Sequence, residues 1–430
     1  MKIHVIGAGP TGLAVAWELA GDHNVTVHDK KPSAGGSWWE PEKGPRDLHA
    51  HRIVFDRAWV NTRSMFDEMG MNWHDYFEPV QSKIYTILLK AFSWKDYWIL
   101  ASTGFRVLML PTAYENVTVK DVFEGLLSSE GEKVLKHITL IMDGVTWDVM
   151  TAYEFVMSFN QVAFSTQCTQ KVSGRAMCDA MQSAASARGV NFQFNSELLE
   201  IDHTTGHMKL SGDREVKDAE LVILCLDNSP AMKFLGTNWG VNSEMKLRES
   251  TYGAINVLLD FEDGAPEIEE DLSIAMRTPW KLQPKVLADG KTISCVICNL
   301  TEDILTAPPE ALKKEVLRQL RVGKKPTGVR IGWGASWSDD ENRWSFTQSS
   351  GVLSRHGQLP FFGASQKVAM CGMMSPRRTP YSSMEAAVEV GRAFCSERFG
   401  TRAPMRPLTV VHIFIALLIG IALLLITPRT

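Results

Sequence analysis

The segment VIGAGPTGLAVAWEL, residues 5–19, carries Gly7, Gly9 and Gly12 in G-x-G-x-x-G spacing between an apolar strand and a helical pattern. In such a turn the first glycine permits a tight bend, the second lets the backbone approach a pyrophosphate, and the third allows the helix to pack against the strand. The N-terminus of that helix then faces the phosphates, because its unpaired N–H groups carry partial positive charge. The segment therefore predicts a dinucleotide-binding loop.

A second strand completes a βαβ unit around this loop. The helical pattern stops at a glycine, and the chain returns as VTVHD, which ends at Asp29. An acidic residue about 20 residues after the glycines is placed to accept hydrogen bonds from a ribose hydroxyl. Lys30 and Lys31 follow; we expect both lysines to be solvated, with selection of a phosphorylated ribose as the minor alternative. Because the strand, the helix and the acidic residue all stand where a dinucleotide-binding loop needs them, a glycine turn that arose by chance is a poor explanation of this pattern.

Length and composition describe a globular protein. The chain has 430 residues, of which 22% are charged and 45% hydrophobic, as expected for two or three domains or for one large interleaved α/β unit. The net charge of −4 comes without any long basic run, which argues against nucleic acid as a partner. The seven cysteines are scattered and odd in number, so a disulfide framework is not predicted.

A different signal occupies residues 408–426, LTVVHIFIALLIGIALLLI, which contain no Asp, Glu, Lys or Arg. At 1.5 Å per residue a helix of this length covers about 28 Å, close to the hydrocarbon thickness of a bilayer. Arg402 and Arg406 precede it, on the side that the positive-inside tendency places in the cytosol. We expect a single-pass C-terminal membrane anchor with the catalytic part on the cytosolic side; a buried core helix is the weaker alternative.

The N-terminal region resembles the FAD-binding N-terminus of the superfamily of amine oxidases, phytoene desaturases and protoporphyrinogen oxidases. In that family the dinucleotide loop and the acidic strand end are followed by a GG pair that usually reads GGR, and here SAGGSWW follows at residues 33–39. Ser37 replaces the usual arginine, and Arg52 is a candidate substitute for its phosphate contact. By this resemblance the residues that contact FAD here include Gly7, Gly9, Gly12, Asp29, Gly35, Gly36 and Ser37.

A second segment that is similar to the family runs from Ser173 to Asp202. It matches a glycine, a helix and a strand that ends in V-x-x-I, where the backbone at the valine position meets the adenine. Leu198 and Ile201 occupy the two places here. The resemblance therefore implies that Leu198 contacts the cofactor.

The stretch VAMCGMMSPRRTPYSSMEAAVEVGRAF, which starts at Val368, resembles the closing motif of the family, in which a helix points at the flavin. Gly372 matches the family's glycine, and Met373 stands where an acidic residue is common. Ser382 or Ser383 is the candidate helix cap. Met384 and Glu385 fall at the helix N-terminus, whose amides would stabilise negative charge at the flavin on reduction.

The catalytic residues are less well defined by the sequence. GAINVLLDF resembles a strand on which many amine oxidases carry a lysine that holds a water against flavin N5, and Asn256 stands at that place. NRWSFTQ resembles a motif near the last flavin-binding segment, which makes Trp344 a candidate pocket wall, with core packing an equal alternative. His51, in HAHR, is a third candidate because this segment commonly borders the active site; two histidines alone do not predict a zinc site, and no metal is expected.

The predicted fold is α/β, with a discontinuous Rossmann-like FAD-binding domain, an inserted α+β substrate domain and a C-terminal transmembrane helix. The order of the three similar segments along the chain is the main argument for this arrangement. The predicted FAD-binding parts are residues 1–75, 171–235 and 361–400, the substrate-domain parts are residues 76–170 and 236–360, and the anchor is residues 408–426.

The function that the resemblance implies is an FAD-dependent oxidoreductase that moves hydride from a C–N or C–C bond of an apolar or amine substrate to flavin N5. The absent lysine and the anchor favour a small, lipid-like substrate. One alternative is an isomerase like the sugar-nucleotide mutases, for which Arg377 and Arg378 are the only arginine pair in a suggestive place. Another is a non-catalytic FAD-fold membrane or scaffold protein, which the departures at Ser37, Met373 and Asn256 would suit.

Overall fold

The computed structural model describes residues 1–39, 54–80, 90–240, 253–269, 271–287, 289–346, 359–413 and 415–416. Two predicted site residues, His51 and Arg52, lie outside these ranges. Most of the predicted anchor, residues 417–426, lies outside them as well.

A parallel sheet of five strands forms the nucleotide-binding half. Its neighbouring strands all pair in parallel, and they come from three separate stretches of the chain. The strand LVIL is buried along its whole length, as expected for a strand covered on both faces. The predicted α/β fold with a discontinuous Rossmann-like sheet is confirmed. In sheet order the strands are β17 (Val368–Met370), β10 (Leu221–Leu224), β1 (Lys2–Ile6), β2 (Asn24–His28) and β6 (Asn191–Gln193).

Four helices of this half pack on one another. They are α1 (Pro10–Leu19), α2 (Val60–Glu68), α8 (Gly174–Ala187) and α13 (Met384–Phe399). α1 contacts both α8 and α13, and α13 also contacts α2. Helix α1 begins at Pro10, within the G-x-G-x-x-G spacing, because a proline is well suited to a first helical turn, where its missing N–H has no partner to lose.

The other half contains an antiparallel sheet of four strands. Alternate residues of its central strand, Ile255, Val257 and Leu259, face a hydrophobic core shared with Leu312 and Val316 of a covering helix. The stretches GAINVLLDFED and TISCVICNL, whose apolar patterns predict strands, both contribute strands to this sheet. In sheet order the strands are β12 (Gln283–Val286), β13 (Thr292–Ile297), β11 (Ile255–Asp260) and β14 (Gly328–Ile331). A hairpin of β15 (Ala335–Ser338) and β16 (Arg343–Phe346) belongs to the same half. Its helices are α10 (Asp271–Arg277), α11 (Glu302–Leu305) and α12 (Pro309–Leu320).

A helical cluster with its own hydrophobic core completes this half. The stretch VKDVFEGLLSSEG, residues 119–131, has a pattern that predicts one helix. It contains a short helix and the start of another, because Gly125 adopts a left-handed backbone (φ +73°) between them and Ser128 caps the second. The cluster comprises α4 (Trp94–Met109), α5 (Val119–Phe123), α6 (Ser129–Asp143) and α7 (Ala152–Val162); the short elements near it are α3 (Trp73–Tyr76), β3 (Val54–Phe55), β4 (Phe77–Pro79) and β5 (Gln167–Gln170).

A meander of three antiparallel strands follows β6 along the chain, and a short helix follows β10. These elements are β7 (Leu198–Ile201), β8 (Met208–Leu210), β9 (Arg214–Val216) and α9 (Asn228–Leu235). The elements of the two halves alternate along the sequence, so the chain crosses between them several times. The predicted domain boundaries themselves stay predictions.

The start of the predicted anchor lies against the helical cluster. Residues 410–413 and 415–416 are helical, and the N–H of Val411 donates to Asn160 Oδ1 at 3.3 Å. Within the described ranges, no helix is both long and apolar enough to cross a membrane.

Candidate nucleotide and substrate site

A cavity of about 1080 Å³ lies along the carboxyl ends of the parallel strands and extends to the second sheet. It is lined by Gly7 after β1, Asp29 after β2, Cys225 after β10 and Gly372 after β17. This edge of a parallel sheet is where ligands bind in such folds. The volume lies at the top of the range for ordinary small-molecule pockets, so there is room for a nucleotide cofactor with a substrate. Toward the second sheet the lining includes Ala254, Gln283, Val296 and Cys298.

The two glycine stretches pack directly on each other at one wall of the cavity. The N–H of Gly35 donates to the carbonyl of Ala8 at 2.9 Å. A Cβ on Gly36 would lie 2.7 Å from the Cα of Gly9, and Gly36 has a left-handed backbone with φ +56°. A side chain at Gly36 would therefore push the two loops apart and distort the wall.

Not all of the predicted contact glycines reach the cavity. Gly12 and Gly35 are buried behind the wall, and a Cβ on Gly12 would overlap the carbonyl of Gly7. Gly12 thus allows α1 to pack close to the loop, in the role that the spacing predicts for the third glycine. The predicted residues of these two stretches that do line the cavity are Gly7, Gly9, Gly36 and Ser37.

Asp29 links the end of β2 to the glycine loop while lying on the cavity wall. Its Oδ2 accepts the N–H of Ala8 at 2.7 Å, and its Oδ1 accepts the N–H of Lys31 at 2.8 Å. Only 8% of the residue is exposed. These bonds fix the carboxylate at the position where the sequence predicts a ribose contact, and each oxygen keeps a further lone pair for a ligand.

Lys31 is a site residue that the sequence analysis missed. It lines the cavity, and its ammonium group donates to the carbonyl of Gly36 at 2.8 Å. The same group lies 5.0 Å from the ring centre of Trp39 and 5.5 Å from that of Trp333. Burial lowers the pKa of Lys31. The expectation of a solvated lysine is wrong here, whereas Lys30 is exposed as expected.

His28, the residue before Asp29, also lines the cavity. Its ring stacks on that of His4, with Nε2 of His28 2.9 Å from Nδ1 of His4, and its Nδ1 lies 3.2 Å from the hydroxyl oxygen of Ser196. Burial lowers the pKa of His28 to about 4, so the ring is neutral at neutral pH. The only sequence signal for this residue was its place next to Asp29.

The N-terminus of α13 forms another part of the wall. Ser382, Ser383 and Ala387 line the cavity there. Ser383 is the cap, since its hydroxyl accepts the N–H of Ala386 at 3.1 Å. The start of α1 lines the same cavity through Pro10. Two helix N-termini, each with partial positive charge, therefore face one space.

Met384 and Glu385 do not present their side chains to the cavity. Met384 is fully buried in the core that α13 shares with the parallel sheet. The carboxylate of Glu385 accepts four hydrogen bonds from Asn61 and Thr62, at the start of α2. A cofactor contact by either residue is limited to its backbone, which is where the sequence predicts it, and the Glu385 side chain instead fixes α13 against α2.

Two other residues that the family resemblance singled out do lie on the wall. Leu198, at the start of β7, lines the cavity, as does Phe234, which packs against the same hydrophobic cluster. Gly372 lines it as well, and a Cβ there would lie 2.8 Å from the carbonyl oxygen of Leu226. Met373, which stands where an acidic residue is common, is next to it on the wall.

The loop between β17 and α13 is held by a buried arginine. The Arg377 guanidinium donates to the carbonyls of Thr379 at 2.6 Å and Pro380 at 3.2 Å, and the residue is 8% exposed. The Glu389 carboxylate accepts the backbone N–H groups of Arg378 and Thr379, both at 2.8 Å. Arg377 is therefore engaged in holding the loop and is not on the cavity wall.

Asn256 lies behind the cavity wall. Its Oδ1 accepts the hydroxyl of Ser294 at 2.9 Å, and 1% of the residue is exposed. It pairs in register with Val296 and is two residues from Ala254, so all three share one face of the sheet. Val296 and Ala254 line the cavity, but Asn256 does not. A direct catalytic contact by Asn256 is not supported by this placement.

Trp344 belongs to the core of the second half. Its indole N–H donates to the carbonyl of Ala307 at 2.8 Å, and its ring packs edge-on against Trp337. It is 4% exposed and is not among the cavity-lining residues. The interpretation of Trp344 as a pocket wall is corrected to core packing, because its face of β16 points to the hydrophobic cluster. Gly334, just before β15, lines the cavity instead.

The comparisons with known proteins agree with this geometry. The sequence model of a family described as an NAD(P)-binding Rossmann-like domain matches residues 5–63. No curated protein matches the sequence significantly.

Solved structures match nearly the whole chain. An oxidoreductase from Methanosarcina mazei is 15% identical with a TM-score of 0.62, covering 91% of this chain and 99% of that one. A double mutant of putrescine oxidase is 14% identical with a TM-score of 0.66, covering 92% and 98%. A protein from Exiguobacterium, provisionally named a protoporphyrinogen oxidase, is 12% identical with a TM-score of 0.55, covering 92% and 98%. At these identities the likeness is one of fold.

Proposed function

We propose that this chain, which has the fold of the FAD-dependent amine oxidase-like superfamily, is an FAD-dependent oxidoreductase acting on an apolar substrate. The observation that carries the proposal is one continuous cavity with two kinds of wall. At one end are two packed glycine stretches and two helix N-termini, and at the other is a neutral, mostly apolar chamber.

The residues at the first end fit FAD. A Cβ at Gly36 would collide with the facing loop, so the close backbone approach that a pyrophosphate needs is built into both stretches. The start of α1 and the Lys31 ammonium would bind the pyrophosphate, and the Asp29 carboxylate the ribose. Leu198 would meet the adenine. Ser37 lies on the wall but cannot supply the charge of the family's arginine, so Lys31 takes that role in this proposal; Arg52 stays a prediction.

Bound FAD would supply the hydride acceptor for a C–N or C–C bond of the substrate. The protein contributes binding, orientation and charge stabilisation. The N-terminus of α13, with Ser382 and Ser383 on the cavity wall, would supply partial positive charge that stabilises negative charge on a reduced flavin. Arg377 and Glu389 hold the preceding loop rigid through its carbonyl and N–H groups, which keeps Gly372 and Ser383 in place on the wall.

The chamber at the other end favours an apolar substrate. None of the described lining residues from the helical cluster and the second sheet is charged. Gln167 and Gln283 supply neutral polar groups, and burial raises the pKa of the Cys298 thiol to about 12, so it stays protonated. A charged diamine would lose its hydration without gaining a partner here. The apolar side chains that the helical cluster contributes to the chamber are Ile138, Leu140, Ile141, Met142, Phe159 and Val162.

We also propose that residues 408–426 anchor the protein in a membrane, with the part that carries the cavity on the cytosolic side. The support is the absence of charged residues in that segment and the two arginines, Arg402 and Arg406, that precede it. A lipid-like substrate for the neutral chamber would be consistent with such a location.

The isomerase alternative loses its main support. A sugar-nucleotide substrate needs cationic groups presented to its diphosphate, and Arg377 instead donates to loop carbonyls. Arg378 is exposed away from the lining. The non-catalytic alternative is separated from an oxidoreductase by experiment.

The test is anaerobic mixing of the full-length, detergent-purified protein with candidate hydride donors while flavin absorbance is followed. We expect an apolar amine, a polyene or a porphyrinogen to bleach the flavin, and putrescine to do so much more slowly. Faster reduction by putrescine than by any apolar compound would contradict the substrate class. A flavin that none of these donors reduces would favour the non-catalytic alternative.

A further inference from the structure

Helix α4 exposes a continuous apolar stripe. Trp94 is 90% exposed, Trp98 76%, Phe105 53% and Met109 60%, and Ala101 is exposed between them. These positions recur every three or four residues, so they lie along one face of the helix. The helix is regular and well anchored at its start, where Ser93 and Asp96 form a capping box. Large side chains in this number and order form a patch rather than scattered surface apolar residues.

The opposite face of α4 is already used for packing. Thr103 and Val107 are buried, and Val107 belongs to the core of the helical cluster together with Phe92 and Phe155. A surface helix in water has one apolar face toward the core and a polar face outward. Here the outward face is as apolar as the inward one, so it is suited to an environment other than water.

The charges around the stripe favour an anionic lipid surface. Lys90, Lys95 and Arg106 are exposed, whereas Asp96, the acidic residue of this helix, is fully buried and accepts hydrogen bonds from Ser93 and Ser128. The exposed charges of residues 90–110 are therefore all positive. Tryptophans combined with basic residues on one surface are typical of segments that lie in the headgroup region of a bilayer.

The position of α4 agrees with that environment. α4 packs on α7, and Asn160 of α7 accepts the N–H of Val411, near the start of the 408–426 segment. The apolar segment thus begins on the same helix that supports α4.

We propose that the exposed face of α4 lies in the headgroup region of the membrane, as a second attachment beside the 408–426 segment. This inference rests on the proposed membrane anchor. It assigns the helical cluster, rather than the parallel sheet, as the part of the molecule that faces the bilayer.

The test uses the full-length protein in vesicles of phosphatidylcholine with about 30% phosphatidylserine. Two vesicle samples are compared, one with a brominated lipid as quencher and one without it. Ala101→Cys places a thiol in the middle of the stripe for an environment-sensitive fluorophore. The matched control is Ser186→Cys, an exposed position on α8 in the nucleotide-binding half. Six of the seven native cysteines are buried, and Cys298 has a raised pKa, so labelling is confined to the introduced thiol.

We expect a blue shift and strong quenching of the label at position 101, at least several-fold greater than at position 186. Trp94→Ser with Trp98→Ser in the same labelled protein should reduce that quenching while the protein still floats with the vesicles. Floating without preferential quenching at position 101 would overturn the α4 proposal and leave the anchor standing. Failure to float would overturn both. A blue shift already present without vesicles would mean that protein covers the stripe, which also overturns the proposal.

Discussion

The carboxylate of Glu385 on α13 accepts hydrogen bonds from both the backbone N–H and the side-chain hydroxyl of Thr62 on α2. Oε2 accepts the N–H of Thr62 at 2.8 Å and its hydroxyl at 2.9 Å, and Oε1 accepts the N–H and the side-chain amide of Asn61. Burial raises the pKa of Glu385 to about 7, although the bonds from Thr62 and Asn61 lower it. The helix whose N-terminus faces the cavity is therefore fixed by a carboxyl group that titrates near neutrality.

The first prediction concerns the pH dependence of stability. The pKa of Glu385 is higher in the folded protein than the usual 4.5, so the folded state binds the proton more tightly than the unfolded state. Its contribution to stability is fully present below about pH 4.5 and is lost as pH rises to about 7. Glu385→Gln, which cannot ionise, should flatten the curve of unfolding free energy against pH in this window.

Below about pH 4.5 the same substitution should lower stability by about 1–3 kcal/mol, because the new amide NH₂ faces the N–H donors of Asn61 and Thr62. This difference from wild type should shrink as pH rises to about 7. The control is Glu397→Gln, an exposed residue on the same helix, which should leave both the level and the slope unchanged. Chemical unfolding at a series of pH values measures both effects. Parallel curves for wild type and Glu385→Gln would contradict the account.

The second prediction concerns the buried ion pairs of Arg392. Its guanidinium is fully buried and donates to Glu18 at 2.9 Å and to Glu68 at 2.6 Å, so one side chain joins α13 to α1 and α2. Arg392→Met should cost about 3–5 kcal/mol of unfolding free energy, because it leaves the Glu18 carboxylate buried without its partner.

The matched control for that experiment is Arg402→Met. Arg402 pairs with the same Glu68 at 3.1 Å, but its side chain is 57% exposed. Its removal should cost about 1 kcal/mol or less. Equal losses for the two variants would show that burial does not set the strength of this network.

The third prediction tests the role proposed for Lys31. Lys31→Met keeps much of the side chain that packs on Trp39 and removes the ammonium group. Loss of one charge-assisted contact to a phosphate should weaken FAD binding about tenfold or more. Lys217→Met, which changes an exposed lysine that does not line the cavity, should bind FAD like wild type. Titration of the flavin-free protein with FAD, followed by flavin fluorescence, measures both; unchanged affinity in Lys31→Met would rule out this contact.

The fourth prediction tests the contact between the two glycine stretches. Gly36→Ala places a Cβ 2.7 Å from the Cα of Gly9 at a left-handed backbone position. The loops should separate, and the purified variant should retain little flavin relative to its protein absorbance. Gly104→Ala, on α4 with no atom within 4 Å of the new Cβ, should retain the wild-type amount. Full flavin content in Gly36→Ala would contradict the proposed cradle.

Local sequence patterns were sufficient to predict the nucleotide-binding half. The strand, glycine loop, helix and Asp29 are neighbours in sequence, and the structure brings them together as the spacing requires. The cap at Ser383 also depends only on adjacent residues. Such features follow from backbone geometry within a few residues, which a single sequence records directly.

The residues that sequence reasoning misplaced depend on distant partners. Lys31 appeared solvated because nothing near it in the sequence shows that Trp333 covers it. The role of the Glu385 side chain in joining α13 to α2 was not predicted, because its partner Thr62 lies 323 residues away. Asn256 shares a strand face with the cavity-lining Ala254, but which residues of a face reach a cavity depends on how the two halves pack.

The central claim is that this cavity holds FAD, and the most direct measurement is the visible absorption spectrum of the full-length protein purified in detergent. We expect the bands of an oxidised flavin at close to one flavin per chain, with FAD released on denaturation. If the purified protein is colourless and added FAD neither binds nor restores the bands, the proposed cofactor is contradicted, and with it the oxidoreductase function.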